Sequence, residues 1–251
     1  MTEIVDHLLF LDLALVEPAF AIAFRRRLER RLAQGDKEAR IAGYTWMIVS
    51  GWAFVVAVLT WWIVAGRSAT SLGLAVSGGI PFAVAMTASA LVALLLLGQA
   101  RSARSMTSDD ARSLRRRLGP FDAVMPRTTG ERSAFFGVSV TAGFCEELLF
   151  RGFLIAYFAQ WIGWWQAGIA SSVLFGIGHA YQGPAGILKT TTVGMVMAAL
   201  YVFSGSLWPS IVLHTALDVQ GGALGYEALR RAEPEAGAEH ALPTVTSLAA
   251  P

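Results

Sequence analysis

Two stretches of this chain stay free of Asp, Glu, Lys, Arg and His for longer than a bilayer is thick: residues 41 to 66, and residues 78 to 98. About 20 apolar residues carry a helix across a hydrocarbon core of ~30 Å, so both are expected to span a membrane. Basic runs bracket them. Of the 20 Lys and Arg residues, seven lie between Arg25 and Arg40 and eight between Arg101 and Arg132. Runs of this kind stay on the cytoplasmic side. Placing both inside puts the loop around Arg67 outside, and two spans between two inside loops is self-consistent. A water-soluble globular domain does not fit, because 55% of the chain is hydrophobic and only 15% charged, against about 25% charged in soluble proteins.

Residues 133 to 226 contain five charged side chains: Glu146, Glu147, Arg151, Lys189 and Asp218. Breaks near Gly163, at Gln182 to Pro184 and at Ser204 to Ser206 divide this stretch into helix-length pieces, about 133–162, 164–180, 185–203 and 207–225. Residues 8 to 24 are apolar but carry Asp12, Glu17 and Pro18, and either cross the membrane or lie in its interface. The fold class is therefore all-α: a polytopic transmembrane helical bundle of six to eight membrane helices. Its organisation is residues 1–132 as N-terminal spans with basic cytoplasmic loops, 133–226 as a four-helix core, and 227–251 as an Ala-, Glu- and Pro-rich disordered tail. The opening MTEIVDH lacks the basic n-region of a signal peptide. The eight tryptophans are read as anchors at span ends.

The basic runs are read as topology anchors beside anionic lipid headgroups. Interleaved Glu29, Asp36, Glu38, Asp109 and Asp110 argue against nucleic acid as a partner. Cys145 is the one cysteine, so no internal disulfide exists. It has no activating partner at helical spacing and is not read as a nucleophile.

An ionisable group at bilayer depth costs about 2.5–3.5 kcal/mol on insertion scales, so those that remain there call for a chemical reason. Glu147 and Arg151 stand four apart with the acid first, the favourable order for a pair on one helix face. Glu146 is turned about 100° away and is left as a carboxylate able to act as a base. Phe175 and His179 share a face at the same spacing, as do His214 and Asp218. Together these groups form two imidazoles and at least two carboxylates able to hold and activate water. The positive-inside orientation places them near mid-membrane or toward the cytoplasm. The glycines at 176, 178, 186, 194, 221, 222 and 225 suit close helix packing.

Three patterns in order, Glu146-Glu147-x-x-x-Arg151, Phe175-x-x-x-His179 and His214-x-x-x-Asp218, resemble the CAAX protease and bacteriocin-processing family of intramembrane endopeptidases, which includes the type II CAAX prenyl proteases. The resemblance covers about residues 133 to 225. It implies that Glu146 activates the hydrolytic water, with Glu147 and Arg151 as its supporting pair. It also implies that His179, His214 and Asp218 either hold zinc or another divalent metal, or polarise the scissile carbonyl in a metal-free glutamate mechanism. The expected function is hydrolysis of a peptide bond near the bilayer, in a peptide or membrane-protein substrate, at a bacterial inner membrane. The alternative is a non-proteolytic membrane protein for bacteriocin self-immunity or scaffolding, in which the same motifs serve packing.

Overall fold

The structure, a computed structural model, describes residues 2–76 and 78–238. Eight principal helices and no β-strand occur among the described residues. Helix α1 covers residues 2–33, as Thr2–Leu11, a π-helical turn Asp12–Val16 and Glu17–Ala33. It is followed by α2 (Ala39–Val64), α3 (Ile80–Ser102) and the short helix α4 (Ser108–Leu118). Helix α5 begins at Thr129–Glu146 and runs on through a π-helical stretch, Glu147–Leu154, to Ile155–Phe158. Helices α6 (Trp164–Gly178), α7 (Pro184–Ser204) and α8 (Trp208–Ala238) complete the bundle.

Local sequence sets the helix ends. Thr128 and Glu131 form a capping box at the start of α5: the Glu131 N–H donates to the Thr128 hydroxyl at 3.1 Å, and the Glu131 carboxylate accepts from the N–H groups of Thr128 and Arg127. Two otherwise orphaned donors are thereby satisfied, and the helix starts four residues before the span expected from hydropathy alone. Pro184 sits in the first turn of α7, where no N–H is needed. Gly205, at φ 68, closes the same helix through its N–H to the Tyr201 carbonyl.

Helices α1, α2, α3, α5 and α7 are long and apolar enough to cross a membrane. Helices α6 and α8 do not meet that measure. Helix α6 has 15 residues, about 22 Å at 1.5 Å per residue, and α8 carries His214, Asp218 and Gln220 within its apolar length. Helix α6 packs against α7, and α8 against α3, α4, α5 and α7. Helix α6 falls short by its length and still turns Trp164, Trp165, Ile169, Val173 and Ile177 outward. Helix α8, by contrast, has no exposed residue from 208 to 229 and, being screened from lipid, needs less hydropathy. His179 at the end of α6 and His214 and Asp218 on α8 belong to these two helices. Helix α8 also continues through Glu227 to Ala238, so the first part of the expected tail is helical. Glu227 is buried and pairs with Arg230 and Arg231 at 2.9 and 3.5 Å. Residues 239–251 of that tail lie outside the described residues.

Helix α1 runs the height of the bundle. At one end Asp6 takes hydrogen bonds from Trp61 and from Arg67, and His7 Nδ1 lies 2.7 Å from the Tyr157 hydroxyl. At the other end Arg25 donates to the Tyr181 carbonyl. Residues 8–24 therefore pass from the end near Arg67 to the end near the basic Arg25–Arg40 loop, and the crossing alternative holds for this segment.

The core centres on the π-helical stretch of α5, where every residue from Glu147 to Leu154 is buried. Leu148, Phe153, Leu154 and Ile155 meet Val58 and Trp62 of α2, Phe175 of α6, Tyr201 of α7 and Ile211 of α8. Trp62 is thus a core residue rather than an interfacial anchor, whereas Trp46, Trp161, Trp164 and Trp165 are exposed. Large exposed aliphatics on α1, α2, α3 and α7 form the outer surface, as expected where hydrocarbon replaces water. Association of such helices depends on close packing and interhelical hydrogen bonds rather than on apolar burial. The Ser171 hydroxyl donates to the Phe150 carbonyl at 2.5 Å and Ser210 to the Met197 carbonyl at 2.9 Å.

Candidate active site

The first bond that organises the site is the i,i+4 pair foreseen from spacing. Arg151 Nη1 donates to Glu147 Oε1 at 3.1 Å, with both side chains wholly buried. The same guanidinium gives Nη2 to the Gly194 carbonyl at 3.2 Å and lies 4.2 Å above the Phe175 ring. Gly194 is required for this approach, because a Cβ there would fall 3.0 Å from Arg151 Nη2 and 3.2 Å from the Phe175 ring. Arg151 thus ties α5 to α6 and α7 at one point.

Glu147 also does something the spacing did not show. Its Oε1 lies 2.7 Å from His214 Nδ1 on α8. Nδ1 donates to this oxygen of the Glu147–Arg151 pair, so Nε2 is the nitrogen that the ring turns to the pocket. That nitrogen stands 3.8 Å from Glu146 Oε2 and 3.8 Å from Asp218 Oδ2. These gaps exceed a direct hydrogen bond and suit a bridging water or a substrate oxygen. The expected His214–Asp218 face is real, but the firm bond of the imidazole goes to Glu147. Glu146 and Asp218 are about one third exposed, whereas Glu147 is fully buried.

The switch from α- to π-helical winding between Glu146 and Glu147 separates these adjacent acids. Glu146 ends the regular helix and reaches the open side of His214. Glu147 begins the wide turn and points to its other side. π-Helical insertions of this kind are frequent at functional sites.

His179 caps the C-terminal end of α6 and places Nδ1 2.8 Å from the Phe175 carbonyl. Its ring lies 4.7 Å from that of Phe175, which in turn meets the His214 ring edge-on at 6.0 Å. Phe175 is therefore the aromatic wall that both imidazoles share. Gly176 permits the crossing of α6 and α7 here, since a Cβ would fall 2.8 Å from the Ile187 carbonyl.

Three further residues were not singled out as part of the site. Tyr181, in the turn at Ala180–Gln182, stacks at 5.8 Å from His179 and lies within electrostatic reach of Glu146 and Asp218. Burial pushes its phenol up to about 12, so it remains a neutral proton donor. Glu17 of α1 lies within electrostatic reach of Asp12 and of Glu146, and the Asp12–Val16 turn packs on α6. Glu17, one of the carboxylates that made α1 look costly as a span, thus stands toward the polar pocket. The available signal was their presence in an apolar helix, but the sequence does not tell which helix they face. Cys145 is buried among apolar residues beside Gly51.

A divalent metal on His179, His214 and Asp218 requires these donors to converge. Among the described residues no three His, Cys, Asp or Glu side chains are grouped to hold a metal ion. His179 turns Nδ1 to its own helix and His214 turns Nδ1 to Glu147, which leaves Nε2 free in both rings, the nitrogen a metal-ligating histidine offers.

Residues 129–220 match the protein-family model described as type II CAAX prenyl endopeptidase Rce1-like, which bears out the resemblance drawn from the three motifs. No curated protein and no solved structure matches the chain. The matched segment starts at the capped end of α5 and ends two residues past Asp218, so it contains all seven motif residues. With five helices able to cross a bilayer, the chain is an integral membrane protein with a peptidase-like core.

Proposed function

We propose that this chain is an intramembrane endopeptidase of the inner membrane of a bacterium, hydrolysing a peptide bond with water activated by Glu146. The observation that carries the reading is the convergence of Glu146 and Asp218 on the open Nε2 of His214, at 3.8 Å each, while Glu147 grips the opposite nitrogen. A water between Glu146 and His214 gives its proton to the carboxylate as its oxygen attacks the scissile carbonyl. Charge then develops on the carbonyl oxygen, where His214 and His179, each carrying a proton on Nε2 as well as on Nδ1, donate N–H groups to it. Glu146 returns the proton to the leaving amine. Glu147 and Arg151 act as positioning residues: they fix the ring plane and the proton of His214 and touch no reacting atom. Asp218 holds the second approach to Nε2 and orients the water or substrate amide.

The test is cleavage by purified protein in liposomes of two probes, a farnesylated CAAX-type peptide and an unprenylated membrane-spanning reporter peptide. Glu146→Ala, His179→Ala and His214→Ala are expected to abolish cleavage of whichever probe is cut, with membrane insertion unchanged. Full cleavage by Glu146→Ala would remove the proposed base. If neither probe is cut and Glu146→Ala keeps the cellular phenotype, the motifs serve packing and the scaffolding alternative holds.

A further inference from the structure

We infer that the chain carries a binding site for an anionic phospholipid, separate from the peptidase pocket, between α3, α5 and α8 at the cytoplasmic end of the bundle. A cavity of about 400 Å³ opens there, within the size range of pockets that bury small ligands. Its upper rim carries Arg101, Arg104 and Arg132, and its lower walls include Leu97, Phe136 and Val219. Among the described residues no carboxylate lies within salt-bridge distance of these three arginines. Arg132 lies over the Tyr226 ring at 5.1 Å, and the Arg104 backbone carbonyl accepts from Arg231. The one acid lining the cavity, Glu227, is already engaged by Arg230 and Arg231. Among the described residues the rim therefore presents positive charge that no carboxylate neutralises.

The chemistry of the cavity is that of a lipid rather than a free ion. Positive charge sits at headgroup level, where the positive-inside rule places Arg101 to Arg132. Apolar wall continues below it into the hydrocarbon depth, and Phe136 is itself 56% exposed there. Basic pockets between transmembrane helices on the cytoplasmic side suit anionic headgroups. A phosphate between the guanidiniums, with its acyl chain along Leu97, Phe136 and Val219, satisfies both halves of the cavity. Phosphate alone would leave the apolar half without a partner.

The experiment is native mass spectrometry of the detergent-purified chain titrated with phosphatidylglycerol or phosphatidylcholine of matched acyl chains. Phosphatidylglycerol is expected to be retained as a discrete adduct and phosphatidylcholine not. Arg101→Gln with Arg104→Gln should weaken that adduct about 30-fold, equivalent to about 2 kcal/mol at about 1 kcal/mol per basic residue. Both positions are exposed, and the basic residues Arg112 and Arg115 to Arg117 remain to hold the loop inside. Arg115→Gln with Arg116→Gln, the same charge change elsewhere, should leave the adduct intact. Phe136→Ser should weaken it through the chain. Equal retention of the two lipids, equal loss in the two arginine pairs, or displacement of the lipid by millimolar inorganic phosphate would each overturn the proposal.

Discussion

Replacing Glu147 and Arg151 together separates the two roles that their contacts assign to them. Glu147→Leu alone leaves a fully buried guanidinium with only the Gly194 carbonyl and the Phe175 face. Breaking a buried pair from one side costs about 3–5 kcal/mol, a large share of the roughly 5–15 kcal/mol that holds a typical domain folded. The double variant Glu147→Leu with Arg151→Met removes both charges at similar volume, a change that is commonly neutral or stabilising by about 1–4 kcal/mol. Against this stands the loss of the acceptor for His214 Nδ1, a buried donor worth about 1–3 kcal/mol when left unpaired. The two contributions nearly offset, so the double variant is expected to unfold within a few degrees of the natural chain. Its cleavage should nevertheless fall by about 10²–10⁴-fold, the usual contribution of a positioned acid–base group, because nothing holds the His214 ring. The assay pairs thermal unfolding in micelles, read by tryptophan fluorescence, with reporter cleavage by the same preparation. A double variant that folds normally and keeps a tenth or more of its activity would reduce Glu147–Arg151 to a helix lock and refute the positioning role.

Gly194→Ala places a methyl group 3.0 Å from Arg151 Nη2 and 3.2 Å from the Phe175 ring. It should cost about 1–3 kcal/mol as overpacking, seen as a lowered unfolding midpoint, and reduce cleavage through the displaced guanidinium. Tyr181→Phe keeps the ring beside His179 but deletes its hydroxyl, and should lower turnover while leaving the unfolding midpoint within about 0.5 kcal/mol. Unchanged kcat would exclude the phenol from the reaction. Under the metal-free glutamate mechanism proposed for Glu146, chelation followed by zinc add-back is expected to leave cleavage unchanged. A loss on chelation that zinc restores would show that the helices rearrange around an ion.

What the sequence disclosed depended on the range of each interaction. Spacing along one helix exposed the Glu147–Arg151 pair and the Phe175–His179 and His214–Asp218 faces, because helical geometry relates residues four apart. Charge-free lengths disclosed the spans on α2 and α3. The Glu147–His214 bond joins residues 67 positions apart, and Arg151 reaches Gly194 across 43. No local period encodes either. The capping box at Thr128 and Glu131 was legible in principle, but hydropathy drew attention to the later apolar residues and set the start of α5 too late. The end of α6 was drawn from the break at Gln182 to Pro184, whereas His179 already terminates the helix.

The π-helical winding is the step that neither pattern nor period supplies, and it explains how two adjacent glutamates can hold opposite tasks. On an unbroken α-helix, neighbours diverge by about 100°, which puts one acid on the Arg151 face and leaves the other beside it. Here the wide turn begins at Glu147 itself. The Phe150 carbonyl inside it is taken by Ser171 from α6, so the backbone departs from regular winding without losing that acceptor. The turn sinks Glu147 into full burial against Arg151 and His214 while Glu146, one residue earlier, stays about a third exposed at the pocket. The proposed base has to reach water, and the acid that orients the histidine has to be shielded from it. Removing the support of the turn should therefore blur that division: Ser171→Ala deletes the hydroxyl bonded to Phe150 and leaves a buried carbonyl without its partner. The expected result is a loss of about 1–3 kcal/mol in stability together with reduced kcat and little change in KM, because the substrate-facing groups remain while the orientation of His214 loosens. Intact kcat in a destabilised Ser171→Ala protein would mean that the winding serves packing alone.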